Sequence, residues 1–216
     1  NTAVGYQALN QNTAANNTAV GYLALNINTT GTENTAVGTN ALDANTTSSY
    51  HVAVGHAALG ANTTGTQNTG VGWGALLTNT TGSYNTALGS SALYASTTGA
   101  NNTAVGRDAL NTNTTGHENT AVGAKAMEAN TTGGFNVGIG YYALADVTTA
   151  DKNVAVGSGA GQLITTGTEN VAIGADALDA NTTASYNTAV GMNAGGANTT
   201  GSQNTFIGRY AGAANT

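Results

Sequence analysis

The sequence predicts an all-β fold, a parallel β-roll or β-solenoid of thirteen short coils, and three observations predict it. The first is a strict period of seventeen. Asn17 to Glu33 reads NTAVGYLALNINTTGTE, Asn34 to Tyr50 reads NTAVGTNALDANTTSSY, and Asn102 to Glu118 reads NTAVGRDALNTNTTGHE. The 216 residues divide into a first unit of 16, eleven units of 17 and a shorter last unit from Asn204. The second is unit size. Seventeen residues cannot fold alone, because ordering each costs roughly 1 to 2 kcal/mol while a buried apolar side chain returns roughly 1.5 to 3 kcal/mol. A helical repeat needs about 33 or more residues, and the β-branched residues, Gly and Asn of NTAVG and NTTG are poor helix formers. The third is that substitutions cluster in adjacent units. Runs of consecutive units share Val for Thr at the second position (Val137, Val154 and Val171), an apolar residue for Asn at the twelfth (Val147 and Ile164) and Gly for Leu at the ninth (Gly195 and Gly212). Equivalent residues of stacked coils sit about 4.7 to 4.9 Å apart, so a change in one row is tolerated best when its neighbour changes too.

The strand period of two assigns the faces. The fourth position is Val, Ile or Leu in all thirteen coils, from Val4 to Ile207. It is expected to point into the coil together with the second. The third position then faces outward, and it stays small: Ala3, Ala19, Ala36, Ala53, Gly70, Ala87, Ala104 and Ala189 are candidates for an assembly row against other chains. Glycine fills the fifth position of every coil, which marks a corner with positive φ or close backbone approach. Ala at the eighth position and Leu at most ninth positions complete the apolar filling.

Composition narrows the classes of function. Without Cys or Pro, neither a disulfide nor a locked φ contributes, so stability must come from the ladders. Only 6% of residues are charged, and four basic residues, Arg107, Lys125, Lys152 and Arg209, oppose ten acidic ones for a net charge of -6. That balance argues against nucleic-acid binding, which rests on phosphate neutralisation. An apolar fraction of 40% in strict phase argues against disorder. No run of about 18 apolar residues is present to insert in a membrane. Residues 1–216 read as one tandem-repeat segment that starts and stops inside its own pattern, as an excerpt of a longer chain does.

The run Asn-Thr/Val-Ala-Val/Ile-Gly-x-x-Ala, clear at Asn17 to Ala24, Asn170 to Ala177 (NVAIGADA) and Asn187 to Ala194 (NTAVGMNA), resembles the head repeat of trimeric autotransporter adhesins and the similar repeats of bacteriophage tail fibres. The resemblance covers the whole chain. It implies a left-handed parallel β-roll, three chains about a long axis, and a fibre that attaches a bacterium or phage to a host surface. Adhesin-head repeats are shorter, and the added NTTG segment departs from them toward the longer tail-fibre type.

Several groups of residues are candidates for sites. The triplets at Asn28, Asn45, Asn62, Asn79, Asn113, Asn130, Asn181 and Asn198 match the N-glycosylation acceptor pattern, as do Asn16 with Thr18 and Asn101 with Thr103. The bland alternative for the eight is an inward asparagine ladder, which Val147 and Ile164 at equivalent positions favour. Aromatic residues at the sixth and seventh positions, Tyr6, Tyr22, Trp73, Tyr141, Tyr142 and Tyr210, with Tyr50, Tyr84, Phe135 and Tyr186 at the junctions, are candidate ligand-contacting corners that could hold sugar rings; incidental corner packing is the alternative. Rows of Thr such as Thr13, Thr29 and Thr46 invite an ice-binding reading, although adjacent residues of a strand point to opposite faces and Thr-Thr supplies one outward row. His51, His56 and His117 and the scattered carboxylates form no convergent catalytic constellation, and neither a Cys/His cluster nor a calcium-binding nonapeptide is present. No catalytic, cofactor-binding or metal residue is expected. The expectation is a non-enzymatic structural segment of an extracellular fibre, an adhesin or tail-fibre shaft at a cell surface or virion tail. It would self-associate as a homotrimer or filament and meet a host-surface glycan or protein. A polysaccharide-cleaving tailspike, an ice-binding solenoid and a surface-layer filament are the alternatives.

Overall fold

The computed structural model describes residues 1–213. It contains thirteen strands of three residues each, beginning with β1 (Thr2–Val4) and β2 (Thr18–Val20) and ending with β13 (Thr205–Ile207). They form one parallel sheet in sequence order. Each residue pairs with its repeat equivalent, as Thr18 with Thr35, Ala19 with Ala36 and Val20 with Val37. The pairing continues beyond the strands. Around the coil, Leu25 N–H bonds Ala41 C=O at 2.9 Å, Ala44 N–H bonds Gly60 C=O at 3.2 Å, and Thr29 N–H bonds Thr46 C=O at 2.7 Å. At the strand spacing of about 4.8 Å, twelve intervals give a segment roughly 58 Å long.

The inward and outward rows are the reverse of the expectation. The third position is inside: Ala19, Ala36, Ala53, Ala87, Ala104 and Ala189 have no exposed surface, and Gly70 is buried with them. Ala3 is exposed, because no coil precedes it among the described residues. The fourth position faces outward, with Leu88 39%, Ile139 39% and Ile173 40% exposed. The second position is outward with it. The proposed assembly row is therefore core, and the apolar row is surface. A shift of one residue exchanges the faces of a strand; hydrophobicity favours one face for the interior, and volume decides for the other.

The volume is taken by the ninth position. Leu25, Leu42, Leu59, Leu76, Leu93, Leu110, Met127, Leu144 and Leu178 are fully buried. A Cβ added at Gly70 would lie 3.5 Å from Leu59 Cγ, and one at Gly138 would lie 3.0 Å from Met127 Cγ. The large side chain of one coil thus lies over the small third residue of the next, and a narrow coil has room for one of them only. The exceptions follow the same rule. Where Gly161 replaces Leu, Ile164 Cδ1 and Leu144 Cδ2 both come within 3.0 Å of the Cβ it lacks. Where Gly195 and Gly212 replace Leu, the third position is Phe206, whose ring fills both spaces beside Leu178.

The fifth-position glycines have φ between 114° and 142°. A Cβ on Gly38 would collide with the carbonyl oxygen of Gly55 in the next coil. The corners there stack backbone on backbone, as expected. Three more positions per coil turn in the left-handed region: the seventh, the ninth and the last, as in Asn40 (φ 56°), Leu42 (φ 53°) and Tyr50 (φ 66°). For non-glycine residues each such turn costs roughly 1 to 2 kcal/mol, offset at the ninth position by the burial of the Leu it aims inward.

Two pairs of substitutions test this packing. Ala104→Glu places a carboxylate in the coil, so we expect a loss of several kcal/mol of stability, read as a lower urea midpoint, while Ser90→Glu at an exposed corner leaves the midpoint unchanged. Phe206→Ala should cost about 3 kcal/mol. Adding Gly195→Leu, whose φ of 64° matches the other leucines, should recover most of it in the same urea titration.

Candidate functional site

Two rows of asparagine run the length of the coil stack and meet on one carbonyl. The Asn that opens each coil accepts the N–H of its equivalent in the next coil, as Asn34 N to Asn17 Oδ1 at 2.9 Å and Asn102 N to Asn85 Oδ1 at 2.9 Å. Its Nδ2 donates across the coil to the fifteenth residue, as Asn85 to Gly99 C=O at 2.8 Å. The twelfth-position Asn donates to the same carbonyl from the other side, as Asn79 to Gly82 at 2.9 Å, while Asn68 reaches Gly82 at 2.7 Å. It also bonds its own row: Asn45 to Asn28 at 3.0 Å, Asn79 to Asn62 at 3.0 Å and Asn130 to Asn113 at 2.7 Å. The row is interrupted at Ser96, Val147 and Ile164. Where Val147 follows Asn130, Asn130 Oδ1 is buried without a hydrogen-bond partner.

This settles where the acceptor triplets lie. Asn28, Asn45, Asn62, Asn79, Asn113, Asn130, Asn181 and Asn198 are all buried at 0 to 1% exposure. They form the inward ladder, and a glycan has no access to them. Asn16 and Asn101 stand exposed at the last position of their coils.

His51 opens the fourth coil where every other coil has Asn. Its ring takes over the acceptor role of the amide oxygen and turns its other nitrogen to a hydroxyl of the third coil. Nδ1 accepts the N–H of Asn68 at 3.2 Å, and Nε2 lies 2.7 Å from Ser48 Oγ. Ser48 in turn donates to Asn45 Oδ1 at 2.6 Å. The sequence signal was present, a break in an otherwise constant position, but it marks packing and does not reveal a ligand.

The aromatic corners do not gather into one site. Tyr6 stacks on Tyr22 with centroids 5.4 Å apart. Trp73, 53% exposed, lies between His56 and Tyr94 at 6.4 and 6.1 Å, with interplanar angles of 11° and 18°. Tyr94, at a tenth position, belongs to this stack and was not singled out by its sequence position. It lies over the flat backbone left by Gly74, 3.2 Å from where a Cβ would be. Tyr141 meets Tyr142 edge to face at 4.4 Å with Lys125 Nζ 5.4 Å from the Tyr142 ring, and Arg209 covers Tyr210 at 4.8 Å. At the junctions His117 packs against Phe135 at 5.1 Å. At these corners ring faces meet neighbouring rings or cations, whereas Tyr50, Tyr84 and Tyr186 at the junctions are exposed.

The seventh and tenth positions face each other across a turn, as the Lys125–Glu128 ion pair at 3.2 Å shows. The same turn brings Asp176 beside Asp179, a pair that strand periodicity does not bring together. Burial first, then the charge of Asp176, raises the Asp179 carboxyl above its ordinary range. Among the described residues no group of three or more His, Cys, Asp or Glu could hold a metal ion. The Thr hydroxyls of the thirteenth position are committed to the scaffold, as Thr29 Oγ1 donates to Thr46 C=O at 3.0 Å and Thr80 Oγ1 to Thr97 C=O at 3.0 Å. The exposed Thr row is the fourteenth, including Thr30, Thr47 and Thr64.

Compared with known proteins, the chain matches no family model, no curated protein and no solved structure.

Expression through a glycosylating secretory pathway gives a direct check on the burial of the asparagine rows. Peptide mass spectrometry should find carbohydrate at Asn101 or Asn16 and none at Asn45 or Asn130.

Proposed function

We propose that the chain is a structural shaft segment of an extracellular fibre, non-enzymatic, and held at a cell surface or a virion tail. The observation that carries this reading is the unbroken register. All twelve strand pairings are parallel and align each repeat with the next. Such a stack resists bending and local opening because every coil is clamped by two neighbours. Its stability comes from backbone and amide ladders that need neither disulfide nor metal. The repeat resembles those of adhesin heads and tail fibres, which agrees with a part that spans distance.

Fibres of this kind gain stiffness by associating laterally, and the outward face of the sheet suits that purpose. The second and fourth positions present Thr or Val beside Val, Ile or Leu at every rank. The stripe is about 58 Å long and about 10 Å wide, roughly 600 Å² on one chain, close to the ~800 Å² per partner of a standard interface. A second copy offers the same spacing between ranks, so side chains of two such faces mesh along the whole length. Homotrimers or filaments are the assemblies we propose. Adhesion to a host-surface glycan or protein would fall to the variable corners, where Tyr6, Tyr22, Trp73, Tyr141, Tyr142 and Tyr210 lie.

Light scattering and electron microscopy test the reading together. The purified segment should have the mass of three chains, or of a filament, at micromolar concentration and appear as rods with a straight axis. Replacing Leu88, Val105 and Val122 together by Lys should yield monomers with the parent circular dichroism spectrum, since these side chains point away from the core. A parent that stays monomeric over the micromolar range, or a triple variant that assembles as well as the parent, would remove lateral association from the proposal.

A further inference from the structure

The joint between coils is the same hydrogen bond throughout the array, an amide oxygen accepting a backbone N–H, except where His51 supplies a ring nitrogen. The ring has no exposed surface. Because the Asn68 amide can only donate, Nδ1 is bare, and the neutral ring carries its hydrogen on Nε2, directed at Ser48 Oγ. Ser48 passes its own hydrogen to Asn45 Oδ1. Ser48 stands where most coils have Gly, so the two exchanges form one compensated pair across the border of the third and fourth coils.

The groups bonded to His51 or within reach of its ring, Asn34, Ser48, Asn62, Asn68 and the Gly65 carbonyl, are neutral, and the backbone contacts only partly offset its burial. The titratable residues of the coils packed against it are Asp43 and Tyr50 in the third, His56 in its own and Tyr84 in the fifth, and none is among its hydrogen-bond partners. A proton added at Nδ1 therefore turns an acceptor into a donor facing the Asn68 N–H, and leaves a positive charge in a dry interior with no carboxylate to meet it.

We propose that His51 is an acid-released latch: protonation of its ring opens the joint between the fourth and fifth coils while the rest of the array stays paired. Burial lowers the pKa of His51 from 6.5 to about 4. A folded-state value below the unfolded one means that the joint is at full strength above pH 6.5 and weakens as pH falls toward 4. The weakening stays local because each coil touches only its neighbours. This inference does not depend on the fibre reading.

Hydrogen exchange read by mass spectrometry tests it, on the parent and on a Ser48→Gly/His51→Asn variant that restores the residues carried by other coils. At pH 4 the parent should exchange about tenfold faster than the variant over residues 51–84 and equally over 102–186; at pH 7.5 the two should agree throughout. Equal exchange at pH 4, acceleration spread evenly along the chain, or a difference that persists at pH 7.5 would overturn the latch. NMR titration of the His51 ring in the parent gives an arm that needs no variant. Its midpoint should fall well below 6.5, and a midpoint in the ordinary histidine range would count against the proposal.

Discussion

The structure depends on one arrangement, the capture of the fifteenth-residue carbonyl by asparagine amides, two of them in coils such as the fifth and the seventh. A narrow coil must turn its backbone several times in seventeen residues, and each turn directs polar groups inward where no water reaches them. Asparagine is suited to this place because its oxygen and its two N–H groups lie on one short, rigid side chain. From the opening position it supplies the next coil's missing acceptor and its own coil's missing donor at once. From the twelfth it supplies a second donor and a link to its own row. With those groups satisfied, the remaining interior can be filled by apolar atoms alone.

That filling is governed by volume. Leu at the ninth position and Ala at the third share one space, and the three departures show that the space, not the residue, is kept constant. Ile164 reaches into the gap beside Gly161 from three residues away. Phe206 reaches into the gaps beside Gly195 and Gly212 from the opposite wall. In both cases the bulk of a missing leucine is returned from another position, in agreement with the close packing of protein interiors. The left-handed turn at the ninth position belongs to the same economy, since it is what aims Leu42 or Leu110 across the coil.

The period, the number of coils, the parallel register and the corner glycines were all legible in the sequence, because each is a property of repetition. The inward asparagine row was legible too, from Val147 and Ile164 standing in it. The orientation of the strand was not. Period two leaves a binary choice, and Val20 beside Ala19 invites the wrong answer when hydrophobicity alone is weighed; the cue lay in Phe206, whose only large neighbour-space is created by glycines at the ninth position. The corner stacks of aromatic rings were legible only in part, because Trp73 and Tyr94 lie at different positions of the unit and meet through the flatness of Gly74. His51 could be seen as an exception in its column, but its partnership with Ser48 requires knowing that the fifteenth position of one coil lies against the first of the next.

Compensation across borders has a consequence for how such an array changes over generations. Tandem repeats lengthen and shorten by unequal exchange between copies, and a chain of identical units would tolerate a crossover at any joint. Here Ser48 and His51 must travel together although a unit border separates them, and Phe206 must travel with the glycines on both sides of its own border. Exchanges that split either set would leave a histidine ring without its hydroxyl or a phenylalanine without its recess, so the joints of this molecule are not equally open to recombination. Length can be gained or lost most freely at a unit that brings its own filling, as the seventh coil does with Ala104, Leu110 and the amides of Asn102 and Asn113 on Gly116.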